Sequence, residues 1–236
     1  MKSHSRFIGL VPARANSDGV PGKNWRIHNG KSLTDVALES ATQILSSVVL
    51  STDHPDGRHI ASRYGARYHM RSSAAANSAA TANAVVREVL DDNTLNLDWE
   101  SDDFIVYLQP TSPFRTAGHI KEAIDSISLH EADSCVSVVK TDPRIWKTLH
   151  TDDRGLLQSF GKPDLSTSNR QNLADLFQPN GAIYIFRISL FLENNTVPVG
   201  GSIPYLMDRS CSLDIDDWDD WLAYTDGTRA SGGLGP

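Results

Sequence analysis

Residues 8–24, IGLVPARANSDGVPGKN, decide the reading of this chain: an apolar run of strand length opens directly into a Gly, Ser and Asn loop carrying one arginine and one lysine. Gly19 and Gly22 permit backbone angles that other residues avoid, so successive N–H groups can converge on an anion. Arg14 and Lys23 add full positive charge to that cradle. The loop is not the triphosphatase pattern G-x-x-x-x-G-K-[ST], because Ser17 and Asn24 stand where Gly and Ser or Thr are needed. Nor is G-x-G-x-x-G present after a strand; the GGLGP near the C-terminus follows none. An ordinary surface turn is the plain alternative, since the same residue types mark turns generally.

Working outward, apolar runs recur at 7–13 (FIGLVPA), 47–52 (SVVLST), 104–109 (FIVYLQ) and 134–139 (SCVSVV). Helix-like segments around 33–46, 57–64, 79–92 and 117–130 separate them. Near-continuous apolar strands are what a sheet covered on both faces requires. The predicted fold class is therefore α/β: a three-layer α/β/α sandwich with a mainly parallel sheet, its ligand lying beyond the carboxyl ends of the strands. From about 141 to 178 the pattern breaks into polar sequence, then resumes at GAIYIF (181–186). A structureless stretch of that length is uncommon inside a compact domain. Residues 1–140 and 179–236 are accordingly assigned to the α/β domain, and 141–178 to a protruding lobe that packs on something such as another subunit. The Ala-rich 72–86 runs into VVREVL at helical spacing, so its second half is predicted helical, and 228–236 reads as a frayed tail.

A net charge of -7 with no basic arm argues against nucleic acid as partner. No apolar run reaches the roughly 18 residues of a membrane span, and the N-terminus lacks a signal-peptide core, so a cytoplasmic protein is expected. Cys135, within an apolar run, reads as a small buried thiol, and two cysteines make no disulfide framework. The eight histidines show no zinc spacing.

In SLDIDDWDDW (212–221), Asp214 and Asp216 are two apart on a β-like segment, which puts both carboxylates on one face. Such a pair can share a magnesium ion whose other positions go to water and substrate phosphates. The alternative is that these aspartates cap or precede a helix, since Asp217, Asp219 and Asp220 follow. Gln109 ends an apolar strand and points into the crevice of an open sheet. Thr111 and Ser112 suit a turn or the cap of the helix from 117. Lys147 and Arg170, taken singly, read as solvated cations.

Together these segments resemble the acylneuraminate cytidylyltransferases, the CMP-sialic acid synthetases. PARANSDGVPGKN is similar to that family's A-R-x-x-S-K-G-x-P-x-K-N loop, and VVLSTD, LQPTSPFRT, NRQNL, PNGAIYIF and SLDID follow in the family's order and approximate spacing. Asn24 after Pro21, Gly22 and Lys23 separates the chain from the related Kdo enzymes, which carry P-G-K-P there. The resemblance implies transfer of CMP from CTP to an acidic acceptor, a nonulosonic acid by default, with release of pyrophosphate. It implies that Ala13, Arg14, Ser17, Lys23 and Asn24 hold CTP, with Arg71, Ala80 and Thr81 near the cytidine. Asp214 and Asp216 would carry Mg2+ and, with Arg14 and Lys23, form the catalytic set. Gln109 and Tyr184 match acceptor-contacting positions. The lobe corresponds to a dimerisation lobe that lends Lys147 and Arg170 to the other subunit of a homodimer.

Two departures bear on this. Asp18 stands where the family loop carries Lys, and a carboxylate a few Å from a phosphate costs about 4 kcal/mol per charge pair at an effective dielectric of about 20. It must either point away or help hold a magnesium ion. The family's aromatic pair against the sugar falls about where Val197 and Pro198 stand, and its Leu-Ala-x-Asp-Thr segment is eroded to AAANSAA. A small phosphonate such as phosphonoformate is therefore an alternative acceptor, and a non-catalytic nucleotide-binding module an alternative class.

Overall fold

The computed structural model describes residues 5–76, 81–169, 171 and 173–227. The predicted tail at 228–236 lies outside them. Nine named strands form: β1 (Phe7–Pro12), β2 (Ser47–Thr52), β3 (Arg67–Met70), β4 (Phe104–Tyr107), β5 (Ser134–Thr141), β6 (Leu149–Thr151), β7 (Leu157–Ser159), β8 (Leu176–Arg187) and β9 (Ile203–Leu206). The helices are α1 (Leu33–Thr42), α2 (Gly57–Arg63), α3 (Ser73–Ala76), α4 (Ala82–Asp91), α5 (Ala117–His130), α6 (Ile188–Asn194) and α7 (Trp218–Thr225).

Seven strands make one sheet in the order β3-β2-β1-β4-β8-β5-β9. Successive strand residues point to opposite faces, and the core divides accordingly. Val11, Leu50, Val106 and Ile185 enter one apolar cluster with Leu38 of α1 and Ile120 and Ile127 of α5. Their chain neighbours Leu10, Val49, Ile105 and Phe186 enter a second with Val86 and Val89 of α4 and Phe191 of α6. This is the expected three-layer sandwich. The pairs β1·β2, β2·β3, β1·β4 and β5·β9 are parallel. The sheet is mixed all the same, because β8 runs antiparallel to β4, pairing Phe104 with Arg187 and Tyr107 with Tyr184.

The helix at 117–130 stands where periodicity placed it. Its cap is Thr116, whose hydroxyl accepts from His119 N, and not Thr111 or Ser112. The segment expected from 33 ends at Thr42, and its first turn is closed by a capping box between Ser32 and Asp35. Within the expected 79–92 helix, α4 begins at Ala82 behind the Thr81 cap. Periodicity did not reveal β3, β9 or α6.

The chain divides into two compact units, Met1–Val138 with Pro179–Pro236, and Val139–Gln178. The second unit contains the antiparallel hairpin β6–β7 and two 3-10 turns, Pro143–Lys147 and Pro163–Thr167. Leu149, Leu157 and Phe160 of this unit are exposed. Cys135 is buried, which pushes its thiol up to about 12, and Cys211 is half-buried; both are free. Among the described residues no helix is long and apolar enough to cross a membrane.

Phe186 is fully buried between β8 and α6. Phe186→Ala is expected to lower the unfolding free energy by about 3–5 kcal/mol, measured by urea denaturation.

Candidate active site

The site grows from the way the glycine loop meets the 212–217 segment. Leu213 and Ile215 pack into a buried cluster with Val20, Leu33 and Trp221. Alternation then turns Asp214 and Asp216 the other way, onto one cleft, as the two-residue spacing predicts. The segment is not a strand; one bond, Ile215 N to Thr111 O at 2.9 Å, ties it to the end of the β4 loop. The helix alternative also holds in part, because Asp217 caps α7 and forms a capping box with Asp220. The first two aspartates serve the cleft and the later ones the helix.

Lys23 closes the junction. Its buried side chain donates to the Ile215 carbonyl and to Asp216 Oδ1, the latter at 3.1 Å, across 193 residues of sequence. The approach is close enough that a Cβ on Gly19 would fall 2.0 Å from the Asp216 carbonyl oxygen. Gly19 is thus required by contact. Gly22 is required by conformation, since its φ of 65° starts the short turn Lys23–Trp25. The loop is fastened from behind: the Arg14 carbonyl accepts from Asn24 Nδ2 and Trp25 Nε1, and Asp53 Oδ1 accepts from Ala15 N at 2.7 Å.

The cleft holds about 340 Å³ at the carboxyl ends of β1, β3 and β4, where an open α/β sheet places its ligand. Arg14, Ser17, Lys23, Asn24, Arg71, Thr81, Gln109, Asp214 and Asp216 all line it. Ala75, Ala82, Val85 and Tyr107 complete an apolar wall beside Arg71. Ala13 lies beneath, its methyl in the core and its N–H donated to Ser51 O. Tyr184 stands behind the lining, edge-on to Tyr107, and burial, then Asp214, pushes its phenol up. Lys147 is in the Pro143–Lys147 turn of the second unit. Ala80 and Arg170 lie outside the described residues.

Of the two arrangements expected for Asp18, the geometry matches the first, in which it points away. Its mostly exposed carboxylate turns to Arg14, 3.7 Å away, and is not on the lining. Val197 and Pro198 border a separate cavity with Glu131, Asp133 and Leu190.

Three polar atoms on the lining are buried without a partner: Ser17 Oγ, Asn24 Oδ1 and Asp214 Oδ1. Buried polar groups are nearly always satisfied, so this clustering marks where a ligand or ion belongs. Burial pushes the Asp214 carboxyl up; a hydrogen bond from Thr111 opposes this, and the Asp216 charge adds to it. A cation between the carboxylates would relieve that strain. No group of three or more His, Cys, Asp or Glu capable of holding a metal exists among the described residues. Two carboxylates are nonetheless the complement that magnesium takes when substrate phosphates supply the rest.

Arg115 ends the QPTSPFR stretch (109–115) that sequence reading singles out, but that reading assigns it no role of its own. Its guanidinium is fully buried, burial pulls it down to about 9, and Nη1 donates to Gln109 O and Ala182 O at 2.8 and 2.9 Å. It straps the end of β4 to β8 beside Gly181. There φ is 76°, and a Cβ would meet Asp214 Oδ2 at 2.5 Å and Gln109 Oε1 at 3.0 Å.

Comparison with known proteins follows the geometry. A family model described as Cytidylyltransferase matches residues 8–198. The N-acylneuraminate cytidylyltransferase of Streptococcus agalactiae serotype V is 32% identical over 221 residues, covering 91% of this chain and 51% of the relative. The CMP-N,N'-diacetyllegionaminic acid synthase of Legionella pneumophila is 30% identical over 224 residues, covering 92% and 93%. The chain spans about half the length of the first of these and nearly all of the second. In fold it is similar to a CMP:2-keto-3-deoxy-manno-octonic acid synthetase complexed with CTP, with a TM-score of 0.68, 14% identity and coverage of 94% and 98%.

Gly19→Ala must displace the Asp216 backbone. It is expected to weaken nucleoside-triphosphate binding by about tenfold or more, measured by isothermal titration, with the melting temperature as control for the core.

Proposed function

The chain belongs to the cytidylyltransferase family, and from this we propose that it transfers CMP from CTP to a sialic-type, nonulosonic sugar acid with release of pyrophosphate. The observation that carries the reading is the Lys23 contact to Ile215 and Asp216, which makes one cleft of the cationic loop and the paired carboxylates. A triphosphate needs both: cations for its oxygens and carboxylates for the metal that accompanies it.

The acceptor hydroxyl oxygen attacks the α-phosphorus in line, a new P–O bond forms, the bond to pyrophosphate breaks, and the hydroxyl proton is released to water. Negative charge builds on the leaving group, and Arg14 and Lys23 are fixed cations aimed at that region. Their order is built in before substrate arrives, through the side-chain bonds from Asn24 and Trp25 to the Arg14 carbonyl that fasten the loop. Asn24 Oδ1, an unpartnered acceptor, suits a hydroxyl donor such as a ribose. The unpartnered Asp214 oxygen fits a hard cation, so Asp214 and Asp216 are assigned to Mg2+. When bound, the ion supplies charge neutralisation at the phosphates. Arg71, Thr81 and the apolar wall are assigned to the cytidine, and Gln109 with Tyr184 to the acceptor side.

The second unit is proposed to dimerise and to lend Lys147 and Arg170 to a neighbouring copy. Its exposed Leu149, Leu157 and Phe160 support a covered face. A cytoplasmic location suits a nucleotide substrate.

Pyrophosphate release from magnesium–CTP, with N-acetylneuraminate, a legionaminate and phosphonoformate as acceptors, tests the reading. Turnover with a sugar acid and none with phosphonoformate is expected. CTP binding without turnover of any acceptor would mean a binding module instead. Lys23→Ala is expected to lower kcat by roughly a hundredfold.

A further inference from the structure

Arg71 reaches the cleft from the end of β3 as a buried cation that forms no ion pair among the described residues. It is held from behind. Arg71 Nε donates to Ser51 Oγ at 3.2 Å, and the same oxygen lies 3.0 Å from Nδ1 of His69. Ser51 is fully buried and His69 nearly so.

The donor inventory fixes the direction of this chain. An arginine Nε–H can only donate, so Ser51 Oγ accepts there. That oxygen keeps a second lone pair and one proton, and among the described residues His69 Nδ1 is its only other hydrogen-bond partner, so the buried hydroxyl proton is satisfied when Nδ1 presents a lone pair. His69 is thereby assigned the neutral form with its proton on Nε2. Protonating Nδ1 would occupy the second lone pair of that oxygen, leave the buried hydroxyl proton with no acceptor among the described residues, and set a second cation behind the guanidinium.

We propose that Ser51 and His69 are positioning residues that hold Arg71 in the nucleotide cleft through a hydrogen-bond chain requiring neutral His69, so that acidification releases Arg71 and weakens nucleotide binding. The inference rests on the assignment of the cleft to CTP and goes beyond it by naming two residues that line no part of the cleft.

The charged groups facing His69 are Glu88 on α4, Asp92 at its C-terminal end and Arg71 on its own segment. The two carboxylates favour protonation and Arg71 opposes it. Burial is the largest influence and sets the net direction, holding His69 below its ordinary 6.5. The sign follows: a histidine whose folded form resists protonation contributes stability above its unfolded value, and that contribution declines as pH falls below it. Nucleotide affinity declines in the same direction.

The test is isothermal titration of magnesium–CTP into wild type, His69→Asn and Ser51→Ala between about pH 5 and about pH 7.5. Asparagine keeps an acceptor oxygen near the Nδ1 position and does not titrate. The nucleotide's own protonation and that of Asp214 are common to all three proteins and cancel in the comparison. At about pH 7.5, His69→Asn is expected within about threefold of wild type and Ser51→Ala about tenfold weaker. Towards about pH 5, wild type is expected to lose about tenfold more affinity than His69→Asn. A parallel loss in wild type and His69→Asn would overturn the inference alone, as would wild-type affinity in Ser51→Ala. Should Ser51→Ala not fold, the His69→Asn comparison decides. Absence of CTP binding by the wild-type protein at about pH 7.5 would overturn the assignment of the cleft and this inference together.

Discussion

The structure depends on one junction, where an amine buried near the start of the chain meets a carbonyl and a carboxylate near its end. Lys23 would be costly to bury alone, and the Ile215 carbonyl with Asp216 makes it tolerable. The apolar cluster of Val20, Leu33, Leu213, Ile215 and Trp221 supplies the attraction that brings the segments together. The polar contacts then set the register. Packing without Lys23 would leave the carboxylates free to turn to solvent, and Lys23 without the packing would have nothing to reach.

Around that junction the cleft shows a consistent economy of charge. Arg14 is moderated by Asp18 at the rim, Arg71 stands unpaired behind its hydrogen-bonded support, and Arg115 holds backbone carbonyls without touching the lining. Arg71 and Arg115 are fixed by neutral groups, whereas Arg14 and Lys23 each keep a carboxylate partner at the cleft. A carboxylate at Asp18 therefore does less harm to an anionic ligand than its charge implies. The carboxylate is exposed to water, where a charge pair is worth little, and it faces a guanidinium.

Much of this was legible in the sequence because it follows from short-range rules. Apolar runs placed β1, β2, β4 and β5, and two-residue alternation placed Asp214 and Asp216 on one side. The direction of β8 was not legible, since a strand buried on both faces carries no mark of its orientation. The resemblance implied Ala13 as a CTP contact, and the structure places its methyl in the core, because the alternation that exposes Arg14 buries its neighbour. Arg115 resembles a solvated cation in any local window, and only the meeting of β4 with β8 makes it internal. Ser51 sits in the apolar strand β2 and His69 in the short polar strand β3, and both acquire meaning only from the side chain between them and the cleft.

The span of the Lys23 to Asp216 contact, 193 residues, also sets an order of events during synthesis. At roughly 5–20 residues per second, about 10–40 s separate the two residues at the ribosome. Through that interval β1, β2 and β4 can already pair, while half of the ligand's electrostatic environment has not been made. The cleft is complete only once Asp214 and Asp216 have been made and can meet the glycine loop.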